Sequence, residues 1–458
     1  MKKHQTLLVS VFTAVALSAP LHGGQVFPIV TNDTMAMGFS VACAGTNYLA
    51  GIKGDFVTNS EFQITAQLFN PAGTPIGGRI NPVPGHTEGN GNPLCPFVAS
   101  SGTNFLMVWP DDYLNGPYSS VSGQIISPSG GLVGGWFALT TNSQQGFTTP
   151  EPVAYGGGEY LVVWDDYRNG NVSIYGQLVS ANGALVGSNI LICAPFNGAQ
   201  DEQSATVAFD GTNFLVTWFN VIAVNSQNIT YGAFVSLSGT VGTPFAIGQT
   251  ISAERNPLYT VFNGTNYFVV WNFSSGTEGS IYGRFVTPSG SFIGGEFAVE
   301  TNVNKPLPVL AFDGADYLFC SGVQCQFLNP SGQPVGPQFT PFSAQGNETP
   351  MSTTAIYDGK QFVSVATLGS ETNAGVYGAF IPASTTPPQF GHGASYSNRQ
   401  FSLSLTGTPG ISYAIEMATN LVPVRWASLV TNSPTNGTFS FTDTSATNRS
   451  RFYRAVKE

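Results

Sequence analysis

Seven times along the chain a small residue or Asp is followed by glycine, two further residues, an aromatic and an apolar run. The glycines are Gly45, Gly102, Gly157, Gly211, Gly264, Gly314 and Gly359, at steps of 57, 55, 54, 53, 50 and 45. The aromatics three positions on are Tyr48, Phe105, Tyr160, Phe214, Tyr267, Tyr317 and Phe362. Self-similarity at such a period means one supersecondary unit repeated, each copy burying its apolar face against its neighbours.

In Gly264-Thr265-Asn266-Tyr267-Phe268-Val269-Val270-Trp271 odd and even positions are both apolar, so this strand is covered on both faces, as a stacked blade requires. The seventh position after the glycine is tryptophan in four units: Trp109, Trp164, Trp218 and Trp271. These either fill the space between neighbouring sheets or stack on a sugar. A small residue then recurs at Ala66, Gly123, Gly176, Gly232, Gly283, Cys325 and Gly378. Glycine inside a strand marks close approach of another group. Seven residues beyond the first six lies a turn glycine, from Gly73 to Gly332, which supplies a left-handed exit. Each unit therefore reads as a four-strand meander.

The seventh unit runs from Tyr377-Gly378-Ala379-Phe380 into Thr385-Thr386-Pro387-Pro388 without an outer strand. The missing piece resembles Gly23-Gly24-Gln25-Val26-Phe27-Pro28 at the other end. An N-terminal strand completing the last sheet would close a ring and remove exposed sheet edges.

With Gly-Thr-Asn-Tyr-like and Ile-Tyr-Gly-Gln-like cores, residues 25 to 384 resemble the propeller-forming repeats of exported bacterial proteins. The resemblance implies an all-β fold, a seven-bladed β-propeller closed by an N-terminal outer strand, and implies no activity. WD40 signatures, sialidase Asp-boxes and integrin-type calcium loops are absent. Beyond the linker 385–388, residues 389–458 alternate in character, as in Phe401-Ser402-Leu403-Ser404-Leu405, and resemble a small C-terminal β-sandwich common in exported bacterial proteins.

The terminus fits export. Lys2 and Lys3, an apolar run from Leu7 to Ala16, and Ser18-Ala19 form the layout of a signal peptide over residues 1–19, leaving 20–384 for the propeller. That run is too short to span a bilayer, so a secreted protein without membrane insertion is expected. Five cysteines leave at least one thiol unpaired; Cys320 and Cys325 flank a short turn and are either a disulfide or two buried small residues. A net charge of -10 argues against nucleic acid, which demands clustered Lys and Arg. A monomer is expected.

The spacing from the Trp position to the small residue varies between units while the glycine turns keep theirs, so one face of the ring carries variable loops. Variable loops on a rigid scaffold are the usual place for recognition. They bear Asp111, Asp112 and Tyr113, then Asp165, Asp166, Tyr167 and Arg168, which are the candidate ligand-binding residues. Before inner strands stand Glu151, Glu202, Glu254 and Glu348. Such carboxylates can hold sugar hydroxyls, ligate Ca²⁺, act as an acid and base pair on a glycoside, or only shape hairpin loops. No metal set is evident: after removal of the leader only His22, His86 and His392 remain, too few for a zinc site or a Ser-His-Asp triad. The first expectation is an extracellular non-catalytic binding or scaffolding protein for glycan or protein, without a cofactor. The alternative is a carbohydrate-active hydrolase or lyase using carboxylates at the channel mouth.

Overall fold

The computed structural model describes residues 25–31, 37–57, 61–83, 96–111, 120–140, 152–196, 201–222, 227–248, 258–274, 279–303, 308–322, 324–342, 352–370, 373–383, 389–390, 395–397, 400–406, 413–419, 426–434, 438–445 and 451–457. The signal segment and the linker 385–388 lie outside them. All regular elements among the described residues are strands.

The described residues between 25 and 383 form seven four-stranded antiparallel sheets, six of them meanders continuous in sequence. In the third unit Val153–Gly156 is followed by Glu159–Asp166, Ser173–Ser180 and Leu185–Cys193. In the fourth, Asp201–Phe209, Asn213–Ile222 and Gln227–Ser236 end in the short strand Phe245–Ala246. The seventh takes its outer strand from the N-terminus: Gln25–Val30 pairs with Asn373–Pro382, Gln25 opposite Phe380 and Phe27 opposite Gly378. The innermost strands pack in succession, and Met37–Ala44 of the first unit lies beside both Phe97–Ser100 of the second and Ser352–Tyr357 of the seventh, so the sheets are arranged around a ring as in a β-propeller.

Alternation along the second strand of each sheet explains why that strand is apolar at every position. Tyr160, Val162 and Trp164 pack with Leu106 and Val108 of the second unit, whereas Leu161 and Val163 pack with Phe214, Val216 and Trp218 of the fourth. The same division recurs at each join, the last being Tyr48, Ala50 and Ile52 against Val363 and Val365 with Phe27 between. Trp109, Trp164, Trp218 and Trp271 are at most 1% exposed and fill these seams rather than offering a face to a sugar.

One device recurs in the outer half of the sheets. Pairing between third and outer strands slips just after the small residue, for example between Gly176 and Leu178, and leaves outer-strand carbonyls without a ladder partner. The residue after the small one supplies the missing donor. Gln67, Gln124, Gln177 and Gln326 each donate from Nε2 to outer-strand carbonyls, Gln177 to those of Val186 and Gly187 at 2.9 and 3.4 Å. In the fifth unit Arg284 stands there and donates instead to the Ile247 carbonyl of the fourth, 2.7 Å away.

Cys320 and Cys325 face each other in the sixth sheet and form a disulfide, while Cys43 and Cys193 are free thiols. Residues 389–457 contribute two small antiparallel sheets, one ordered around Gln400–Thr406 and one around Tyr413–Ala418.

Candidate functional site

The run Asp165-Asp166-Tyr167-Arg168, expected to act as one ligand-binding loop, is divided by the strand that carries it. Asp165 and Asp166 end the strand Glu159–Asp166, where successive side chains leave opposite faces. Asp166 turns toward the second unit and is fully buried. It accepts hydrogen bonds from Trp164 Nε1 at 2.9 Å and from Arg168, whose Nη2 lies 2.5 Å away. Arg168 continues across the seam to Thr140 Oγ1 at 3.0 Å and, within its own unit, to Asn189 Oδ1 at 3.3 Å, with its guanidinium over the Tyr175 ring. Tyr167, 38% exposed, stands outside this network.

Asp165 turns the other way. Its Oδ2 accepts from the backbone N–H of Ser204, on the inner strand of the fourth unit, at 3.2 Å. Ser204 has φ +58°, the one positive value at a non-glycine position among the described residues, and it lies where pairing slips between Gln203 and Thr206. A non-glycine residue there stores backbone strain of order 1–3 kcal/mol, and such strain concentrates at functional sites.

Glu202 stands two residues before Ser204 and is also fully buried. Its carboxylate accepts from Trp218 Nε1 at 2.6 Å and Asn220 Nδ2 at 2.9 Å. Both oxygens are thus engaged by donors of its own sheet, which suits a carboxylate that orients its neighbours. Burial, with the Glu202 charge behind it, pushes the nearby Cys193 thiol up to about 12.

Of the other sequence candidates, Asp111 ends a strand paired with Ser120–Ile126, while Asp112, Tyr113, Glu151, Glu254 and Glu348 lie outside the described residues. Among the described residues no group of three or more His, Cys, Asp and Glu side chains is placed to hold a metal, so the Ca²⁺ suggestion rests on sequence alone. Sequence reading missed Ser204, Asn220 and the pairing of Asp166 and Glu202 with the tryptophans. The tryptophans are legible as a repeat position. Their partners are not, since Asp166 follows Trp164 by two residues whereas Glu202 precedes Trp218 by sixteen.

No protein-family model matches the chain, and no curated protein matches it. Solved structures do. An α-L-arabinanase of Penicillium chrysogenum complexed with arabinobiose aligns at 10% identity and TM-score 0.42, covering 78% of this chain and 97% of its own. The neuraminidase-like protein of subtype N10 from A/little yellow-shouldered bat/Guatemala/060/2010 aligns at 8% and 0.38, covering 78% and 98%. The acylaminoacyl peptidase of Pyrococcus horikoshii aligns at 8% and 0.44, and the chain covers 60% of it. Against the first expectation of a non-catalytic binding or scaffolding protein, the arabinanase and the neuraminidase-like protein carry names on the side of the alternative, a carbohydrate-active hydrolase, whereas the peptidase does not. At such identities and scores they carry nothing on substrate or mechanism.

Proposed function

We propose that the chain is an exported carbohydrate-active hydrolase built on a seven-bladed propeller, closed by its N-terminal strand and followed by a small β-sandwich over 389–458. The seven sheets and the pairing of Gln25–Val30 with Asn373–Pro382 support the ring; the leader over residues 1–19 supports export. The reaction is assigned to the seam between the third and fourth units, at the end of the ring that carries the variable loops.

One observation carries this reading: the carboxylate of Asp165 holds the strained Ser204 of the neighbouring unit, two residues from the buried Glu202. Asp165, which bridges the third and fourth units, is the candidate acid or base. Glu202 acts as a positioning residue. Positioned proton transfer of this kind contributes about 10²–10⁴-fold to rate.

The test is release of reducing sugar from a polysaccharide panel that includes arabinan, with wild type and Asp165→Asn. The amide oxygen of the variant still accepts from Ser204, so the fold is retained while turnover falls about 10²-fold or more. Unchanged turnover in the variant, or no release by wild type from any member of the panel, overturns the reading.

A further inference from the structure

The sixth unit has the shortest central strands of the ring. Its second and third strands, Tyr317–Ser321 and Gln324–Leu328, are five residues each. The second strands of the other units run to 7–11 residues and the third strands to 7–10. Fewer paired residues mean fewer ladder bonds to hold this sheet together. It is also the sheet on which the closing seventh unit packs: Thr353 Oγ1 of the seventh donates to the Gly322 carbonyl of the sixth at 2.9 Å.

The disulfide lies in this short ladder. Cys320 and Cys325 are direct partners across the two strands. In the second, third and fifth units the same pair is a valine and a glycine: Val108 with Gly123, Val163 with Gly176, Val270 with Gly283. Both cysteines are at most 1% exposed and share one core cluster with Phe362, Ala366 and Ala379 of the seventh unit. Thiol–disulfide exchange needs access to a sulfur, and that cluster, once packed, denies it. Before it packs, a sequence separation of only 5 keeps the two thiols within reach of each other.

We infer that this disulfide is a folding latch: it closes within the hairpin before the seventh unit packs on the sixth, and the finished ring then seals it from thiols. The two cysteines give up two protons and two electrons to a small disulfide oxidant, which leaves as two thiols. A chain kept reduced leaves the join between the sixth and seventh units loose, and it completes the ring in an oxidising compartment. The latch is independent of the Asp165 seam and of the hydrolytic reading.

Two measurements on the full chain test this. Native protein is treated with dithiothreitol and then iodoacetamide, with labelling read peptide by peptide; the Cys320–Cys325 disulfide survives. Denatured, reduced chain is refolded with or without oxidised glutathione and compared by hydrogen exchange. Without the oxidant, the amides of 317–328 and 352–357 exchange at least about tenfold faster. The double variant Cys320→Val, Cys325→Gly, which carries the pair of the other three units, refolds alike in both conditions. Native-state reduction at the rate of a small disulfide, equal protection in the two refolded wild-type samples, or a redox dependence that persists in the double variant overturns the assignment. Turnover is not read, so the failure of the hydrolytic reading leaves this result untouched.

Discussion

Tyr48 donates its hydroxyl proton to Asp358 Oδ2, 2.5 Å away, and so ties the first unit to the glycine turn of the seventh. The same tie recurs where the aromatic after the turn is tyrosine. Tyr160 donates to the Asn104 carbonyl at 3.2 Å and Tyr267 to that of Asn213 at 3.1 Å, and Tyr317 accepts from Asn263 at 2.7 Å, in each case reaching the turn of the preceding unit. Units carrying Phe105, Phe214 or Phe362 pack the ring without the bond. Tyr48→Phe therefore keeps the packing and loses a hydrogen bond to a charged group, about 1.5–3 kcal/mol. Urea unfolding reads this as a lower midpoint at constant slope; an unchanged midpoint removes the tie from the energetics of closure.

The same tyrosines set the alkaline limit. Burial pushes the Tyr160 hydroxyl up to about 12, and burial likewise raises Tyr48, Tyr267 and Tyr317. A phenol whose folded pKa lies above its unfolded value near 10 contributes stability that is complete below about pH 10 and lost as pH rises through the folded value. Melting temperature should thus fall between pH 10 and 12, and Tyr160→Phe should flatten that fall. Equal slopes in variant and wild type count against it.

Phe27 fills the space above Gly378, where an added Cβ would lie 2.3 Å from its ring, and it packs tilted against Phe380 at 4.7 Å between centroids. Phe27→Ala should cost about 3–5 kcal/mol and Gly378→Ala should force the N-terminal strand outward. Hydrogen exchange read residue by residue checks this: both variants expose the amides of 373–382. Protection equal to wild type would mean that the strand does not hold the last unit.

Gln177 spans the break in pairing between the third and outer strands of its unit. Gln177→Ala leaves the Val186 and Gly187 carbonyls without this donor and should destabilise by about 1–3 kcal/mol. Gln177→Met, with similar volume and no donor, should lose nearly as much; full rescue by Met would assign the effect to packing.

Cys193 is 5% exposed, and its thiol is pushed up by burial and by Glu202. Because the thiolate is the reactive species, iodoacetamide at pH 8 should leave the Cys193 peptide unlabelled until denaturant is added. Labelling in the native protein at the rate of a free thiol would contradict its placement.

Periodicity carried most of the fold. A strand apolar at Tyr160, Leu161, Val162, Val163 and Trp164 has to be covered on both sides, and seven such strands at a near-constant step need one another as neighbours. Turn chemistry was equally local: Gly73, Gly130, Gly183, Gly239, Gly290 and Gly332 all take positive φ, as their places after Asn70 and its counterparts require. The absent outer strand of the last unit was visible as a gap at one end and a surplus at the other.

Side-chain direction was decided only in three dimensions. Asp165 and Asp166 are adjacent in sequence and of one chemical type, yet one faces the fourth unit and the other the second, because a strand sends consecutive side chains to opposite seams. Likewise a glutamate before an inner strand reads as a candidate acid until Trp218 and Asn220 close on Glu202. Repeat spacing is set by local backbone geometry and burial, and so is written along the chain. Which donor meets which carboxylate depends on contacts between strands, 16 and 18 residues apart for Glu202 and 39 for Asp165, and no local pattern encodes that.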